Sequence, residues 1–232
     1  MSTTAAKRGD APARPEREAL EQVRVTEVFH SLQGEGRTAG WPTVFVRLTG
    51  CPLRCTYCDT AYAFHGGEPV TVAEVVERAS GYGARYATVT GGEPMAQRHC
   101  PGLLAALADA GYEVSLETSG ALDLSAVDPR VVKVMDLKTP GSGECHRNRY
   151  ENIDLLGPRD QVKLVIRDRA DYDWARGIVA RYRLDARCEV LLSPSHGELA
   201  PGTLGDWILA DRLPVRLQIQ LHKYLWGDVP GR

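Results

Sequence analysis

Between residues 43 and 220 the chain alternates short apolar runs with amphipathic helical stretches. Almost every apolar run stops in small, polar or charged residues. That order leaves few folds open. Parallel neighbours cannot be joined by a tight turn, so strand–helix–strand units build a parallel sheet covered by helices. Strands are expected over residues 23–29, 43–49, 86–90, 113–117, 131–136, 161–166, 188–192 and 215–220. Helices are expected over 71–80, 103–110, 170–182 and 204–211. In the first helix Thr71 and Glu74 have capping-box spacing, with apolar residues at 72, 75, 76 and 79. Gly111 is placed to close the second. About six strands follow residue 58, too few for an eight-fold barrel. The fold class expected is therefore α/β, a partial (β/α)6-type barrel on a parallel, curved sheet. Such folds place their sites at the C-terminal ends of the strands, where the polar residues of this chain gather.

The 232 residues suffice for one sizeable core. Residues 21–232 read as a single domain, and residues 1–20, rich in Ala, Pro and Arg, as a disordered tail. A formal net charge of −2 gives no bulk field that selects nucleic acid or a membrane surface. No apolar run approaches the roughly 18–20 residues that span a bilayer. The N-terminus lacks the apolar region of a secretory signal. Six cysteines in such a chain read as thiols of a reducing, cytoplasmic compartment rather than a disulfide framework. Cys100, Cys145 and Cys188 are scattered and read as plain thiols.

The other three stand together in Cys51-Pro-Leu-Arg-Cys55-Thr-Tyr-Cys58-Asp-Thr60. Thiolates spaced C-x3-C-x2-C can wrap a soft metal centre from one loop. A structural zinc site needs a fourth protein ligand, for which His65 or Cys100 is available. A [4Fe–4S] cluster held by three thiolates keeps one iron open to a non-protein ligand. Other strand ends are chemically suggestive. Gln33-Gly34-Glu35-Gly36 reads as main chain approaching a ligand, or as an ordinary turn. Arg47 sits in an apolar strand four residues before the first cysteine of the loop. It faces solvent, or it clamps an anion if that strand opens onto the site. The strand at 86–90 ends in Gly91-Gly92-Glu93-Pro94, which lets main chain lie beside a polar ligand.

The three-cysteine spacing, the aromatic Tyr57 before the last cysteine and the Gly-Gly-Glu-Pro about thirty residues on together resemble the radical S-adenosylmethionine (SAM) enzymes. The resemblance implies a radical SAM barrel in which SAM chelates the open iron of a [4Fe–4S] cluster. A small activase that makes a glycyl radical on a partner enzyme would share these cysteines. Residues 29–36 (Phe-His-Ser-Leu-Gln-Gly-Glu-Gly), the Cys-Asp-Thr ending of the loop and Leu221-His222-Lys223-Tyr224 are more specific. They resemble the 7-carboxy-7-deazaguanine synthases, lyases of 7-deazapurine (queuosine-type) biosynthesis that act on 6-carboxy-5,6,7,8-tetrahydropterin and release ammonia. That family implies Mg²⁺ as a further cofactor, a flavodoxin or ferredoxin as electron donor, and a homodimer.

Carried over residue by residue, the resemblance gives Cys51, Cys55 and Cys58 to the cluster and Thr60 to Mg²⁺. Tyr57, Cys58, Asp59, Gly92 and Glu93 match SAM contacts, as do Ser119, Asp136, Leu137, Lys138, Ser193, Pro194 and Ser195. Leu32, Gln33, Gly34 and Glu35 match the segment that reads the pterin edge, Arg47 the group that binds the substrate carboxylate, and Thr90 and Pro230 further substrate contacts. In some family members the chain ends just after the residue matching Pro230; here Gly231 and Arg232 follow. Lys138 and Lys163 read equally well as solvated lysines.

Overall fold

The computed structural model describes residues 21–227, 229 and 231. The tail expected at residues 1–20, and Pro230, lie outside them. Nine strands form one open sheet: β1 Gln22–Leu32, β2 Pro42–Leu48, β3 Glu68–Thr71, β4 Tyr86–Gly91, β5 Glu113–Thr118, β6 Val132–Asp136, β7 Gln161–Ile166, β8 Glu189–Pro194 and β9 Arg216–Leu217. Their order is β3-β1-β2-β4-β5-β6-β7-β8-β9. Every pair from β2 to β9 is parallel. The sheet is nevertheless mixed, because β1 runs antiparallel to both β2 and β3. The expected parallel sheet of a partial barrel is present from β2 to β9, with an antiparallel addition at this edge. There the turn after Leu32 is short enough to fold the chain back on itself, and no crossover is needed.

The helices are α1 Val72–Ser80, α2 Cys100–Asp109, α3 Arg169–Tyr182, α4 Pro201–Asp211 and the short α5 Leu221–Trp226. Thr71 and Glu74 make the reciprocal capping box at the start of α1, which buries Val72, Val75 and Ala79. α2 begins earlier than the apolar periodicity indicates, because Pro101 is tolerated in the first turn, where its missing N–H leaves nothing unpaired. Alternation of strand and helix is incomplete. No α-helix joins β5 to β6, and β6 is joined to β7 by three 3-10 turns, Pro140–Ser142, Cys145–Arg147 and Tyr150–Leu155. The strand expected at 215–220 shrinks to Arg216–Leu217; Gln218 N still donates to Leu192 O at 2.9 Å, and pairing ends there.

A fully covered parallel sheet usually reads as continuous apolar runs. Here the two faces differ. Val44, Val46, Leu48, Val89, Leu116, Met135, Leu164 and Leu192 belong to the main core. On the opposite face, residues of alternate parity are polar: Thr88 and Thr90 of β4, Glu117 of β5, Asp136 of β6, Lys163 of β7 and Ser193 of β8. Strand β1 changes face midway. Val25 pairs with Leu48 but Glu27 pairs with Arg47, so two steps along β1 match one along β2. This bulge leaves Thr26 as the extra residue, where its hydroxyl meets that of Thr49 at 2.7 Å. Before it the odd residues Val23 and Val25 point into the core; after it the odd residues Glu27 and Phe29 share a face with Arg47 and Phe45.

Candidate active site

The three-cysteine loop leaves the end of β2 through Gly50, whose φ of 95° lies in the region that only glycine adopts without strain. Main chain pins it from two sides. Gly50 donates to Ala63 O at 2.8 Å and accepts from Glu93 N at 2.8 Å. Gly92 allows this approach: a Cβ there would lie 2.1 Å from Gly50 O. Further along, Thr56 N donates to Ser142 O at 3.0 Å and Thr56 Oγ1 to Gly141 O at 2.8 Å. Arg167 ties the same place together, its Nη1 donating to Thr56 Oγ1 at 3.2 Å and Gly141 O at 2.8 Å while it pairs with Glu198.

Cys51, Cys55 and Cys58 are all unbridged and half-buried, and they line one cavity of about 420 Å³. Burial pushes the Cys51 thiol up and the Cys55 thiol to about 11, against the pull of nearby Lys138. Among the described residues no three His, Cys, Asp or Glu side chains converge as one metal ion requires. Three thiols that line one cavity suit a polynuclear cluster, in which each thiolate takes its own iron. The donor set therefore fits a [4Fe–4S] centre held by three thiolates.

The same cavity is lined by Tyr57, Asp59, Thr60, Gly92, Ser119, Asp136, Lys138, Ser193, Pro194 and Ser195. Asp136 pairs through Oδ2 with Lys138 at 3.0 Å. Its Oδ1 is buried and has no hydrogen-bond partner, an acceptor at the cavity wall waiting for a ligand donor. Such an orphan suits the ammonium or hydroxyl donors of SAM. Lys138 is largely buried, which opposes its charge, yet Asp136, with Tyr57 and Cys55 adding to it, outweighs this and raises its pKa. Two residues expected in the site stand behind it. Leu137 is fully buried in the core. Glu93 is also fully buried, where its carboxylate accepts from Thr118 Oγ1 at 2.8 Å, from Ser119 N at 2.7 Å and from Ser119 Oγ. It thus shapes the Ser119 turn rather than the cavity wall.

A second cavity, of about 340 Å³, shares Glu35, Asp59, Thr60, Thr90, Glu117, Lys163, Gln220 and Lys223 with the first. Leu32, Gln33, Gly34 and Arg47 line it too, with Phe29, Phe45, Tyr62 and His222. Gln33 is turned inward, its Nε2 donating to Thr88 Oγ1 at 3.1 Å and Glu117 Oε1 at 3.3 Å. Glu35 receives Lys163, Gln218 at 3.1 Å and Gln220 at 2.9 Å. Burial raises its pKa, but Lys163 outweighs burial and the net shift is downward, so the pair is ionised. Lys163 and Lys138, which the sequence left open as solvated lysines, are both largely withdrawn from solvent and paired. Asp59 is likewise held well below the usual carboxylate range: burial works against its charge, and Lys223, at 2.9 Å, overcomes it. Thr60 Oγ1 donates to Asp59 Oδ1 at 2.9 Å where the two cavities meet.

Several residues here escaped the sequence reading. Glu117, at the end of β5, accepts from Thr90 Oγ1 at 2.8 Å, and burial, reinforced by Glu35, pushes its carboxyl up. His222 packs against Gly34, where a Cβ would come within 2.0 Å of its Nδ1, and burial lowers its pKa. Gln218 and Gln220 reach back from beyond β9. The period-two alternation of Gln161, Lys163 and Val165 was the one local signal for Lys163.

A half-buried three-thiol loop at the strand ends of an open α/β sheet, beside a polar cavity, is the site of a radical SAM protein. The chain belongs to that superfamily, whose profile matches residues 45–182. Within it the chain is a member of the 7-carboxy-7-deazaguanine synthase family. A 7-carboxy-7-deazaguanine synthase from Chlorobaculum tepidum is 44% identical over 208 residues, covering 88% of this chain and 94% of the relative. One from Koribacter versatilis is 41% identical, covering 88% and 97%. The fold matches the crystal structure of QueE from Escherichia coli with a TM-score of 0.71 at 23% identity, over 91% of this chain and all of that one. With relatives so named along most of its length, the glycyl-radical activase is not favoured. No described helix is long and apolar enough to cross a membrane.

Proposed function

We propose that the larger cavity holds the cluster and SAM, that the smaller holds 6-carboxy-5,6,7,8-tetrahydropterin, and that the chain converts it to 7-carboxy-7-deazaguanine with release of ammonia. One observation carries this assignment. Three free thiols of a single loop line a cavity that shares its wall with a second one, which carries an arginine and carboxylates. Bound together, the cluster and SAM supply a carbon radical able to take a hydrogen atom from C6 of the substrate.

The chain's own residues do the rest. Cys51, Cys55 and Cys58 hold the cluster, and the Asp136–Lys138 pair presents one bare carboxylate oxygen to SAM. Arg47 takes the substrate carboxylate in a charge-assisted pair. Leu32, Gln33, Gly34 and Glu35, which line the smaller cavity together, border the amide-like pterin edge. Glu117 accepts from Thr90 and Gln33 where the two cavities meet, and so holds both side chains in place beside the substrate. Thr60 supplies a hard oxygen for Mg²⁺ at the junction, with Asp59 adjacent to balance the charge. The electron comes from a flavodoxin or ferredoxin, and the enzyme is a homodimer, as the family implies.

The direct test is anaerobic: reconstituted protein with SAM, a reductant and 6-carboxytetrahydropterin. Formation of the deazaguanine supports the proposal. A protein that binds zinc and no iron under reconstitution, or an iron–sulfur protein that cleaves SAM without forming this product, refutes it.

A further inference from the structure

Continued through residue 27, the alternation of β1 would bury a carboxylate in the core. The bulge at Thr26 instead brings Glu27 onto the cavity face, directly opposite Arg47. There Glu27 Oε1 accepts from Arg47 Nε at 2.6 Å and from the Tyr62 hydroxyl at 2.8 Å. The guanidinium lies between two rings, its Cζ 5.7 Å from the centroid of Phe29 and 5.8 Å from that of Tyr62. Phe29 is braced in turn by Phe45, stacked at 4.9 Å. Burial pushes the Tyr62 hydroxyl up to about 12, so it remains a donor at neutral pH.

These contacts restrict Arg47 in complementary ways. The side-on carboxylate fixes rotation through Nε, and the two rings restrict the guanidinium between them. Among the described residues Nε is the bonded group; Nη1 and Nη2, the edge that matches a carboxylate fork, have no protein acceptor. Arg47 itself lines the smaller cavity. A charge placed beside an anion-binding arginine weakens its attraction for anions. A site built for affinity alone would omit Glu27, whereas a site built for orientation has a use for it.

We propose that Glu27 and Tyr62 are positioning residues that lock Arg47 for planar, two-bond capture of a carboxylate, so that the smaller cavity selects a carboxylated heterocycle over the same ring without the carboxylate. This rests on the assignment of that cavity to the pterin. The lock and the counter-charge predict opposite signs. Loosening the lock weakens carboxylate binding, whereas removing only a counter-charge tightens it.

The experiment measures equilibrium binding of two fluorescent probes, 6-carboxypterin and pterin unsubstituted at C6, to the anaerobically reconstituted full chain with SAM. Tyr62→Phe keeps the ring and loses the hydroxyl; it weakens 6-carboxypterin about threefold, the scale of one lost hydrogen bond. Glu27→Ala weakens it about tenfold, as loss of a charge-assisted partner does. Glu27→Gln, whose amide oxygen still accepts from Nε, recovers part of that loss. Pterin binding stays within about twofold of wild type throughout. Equal weakening of both probes, an unchanged ratio, or tighter 6-carboxypterin binding overturns the lock. Tyr62 is half exposed, so its variant tests the idea even if Glu27→Ala melts early. Arg47→Ala separates the two readings: if it retains wild-type preference for the carboxylated probe, the cavity assignment itself falls.

Discussion

Gly92→Ala should disable the cluster site through space alone. Gly92 needs no positive φ, so its conformation is open to alanine. The room is not. The new Cβ would meet Gly50 O at 2.1 Å, Gly50 C at 2.6 Å and Cys51 Cβ at 2.9 Å. All three atoms belong to the start of the cluster loop, and two are backbone, so no side chain can rotate away. Relief requires the ends of β2 and β4 to part by about 1 Å, since close-packed interiors hold carbon near 3.5 Å from its neighbours. That movement stretches the bond from Glu93 N to Gly50 O, now 2.8 Å, beyond hydrogen-bond range. Overpacking costs about 1–3 kcal/mol and the lost bond about 1 kcal/mol, together about 2–4 kcal/mol. For a chain of this size that lowers the melting temperature by about 4–16 °C. Iron content should suffer more, because ligand positions tolerate only about 0.2 Å and Cys51 follows Gly50 directly. The assay is thermal denaturation together with iron per chain after anaerobic reconstitution. Gly177→Ala is the control: nothing lies within 4 Å of its added Cβ in the middle of α3, so it should stabilise by about 0.5–1 kcal/mol. A Gly92→Ala protein that melts with wild type and holds a full complement of iron would refute the reasoning.

Three further outcomes follow from the buried charges and the junction. Lys163→Met leaves the Glu35 carboxylate buried without its cation and should cost about 3–5 kcal/mol, with the double variant Lys163→Met/Glu35→Gln recovering at least half; denaturant unfolding decides, and a double variant as unstable as the single refutes the pairing. Glu117 has a folded pKa above its ordinary 4.5, chiefly through burial, so above that pH the unfolded chain holds fewer protons than the folded one and stability declines. Glu117→Gln removes this decline, and the melting-temperature gap between variant and wild type should widen as the pH rises above 4.5; a gap independent of pH refutes it. Thr60→Ala should abolish Mg²⁺ stimulation of turnover while Thr60→Ser retains it, and unchanged Mg²⁺ dependence in the alanine variant removes Thr60 from the metal site.

Features determined by local chemistry were legible in advance. The capping box of α1 needs only Thr71 and Glu74, three residues apart, and β7 falls on its expected bounds because period-two alternation is a short-range property. The cysteine loop was legible for the same reason: its spacing is its chemistry. What escaped depends on distant partners. Lys163 and Glu35 are 128 residues apart, and nothing near either says that the other neutralises it. Gln218 and Gln220 alternate as a strand would, yet pairing with β8 ends at Gln218, whose N donates to Leu192 O at 2.9 Å, and their side-chain amides bond Glu35 and main chain at Gly36.

Arg47 shows where the boundary between these cases lies. Val44, Val46 and Leu48 are buried on one face of β2, so the alternation places Arg47 on the other. Whether that other face is solvent or site is not a property of β2. It is set by β1, which crosses over at Thr26 and brings Glu27 and Phe29 alongside. The sequence did carry a sign of this. Carrying the register of Val23 and Val25 forward one more step puts Glu27 in the apolar core, and an unpaired carboxylate there costs several kcal/mol. A strand whose parity leads to a buried charge must end, slip or bulge before it. Because Phe29 resumes the apolar pattern, an end is excluded, and because Phe45 waits opposite Phe29, the register beyond is held. The bulge is what remains, and it turns an arginine with no reason to be inside into one with a partner there.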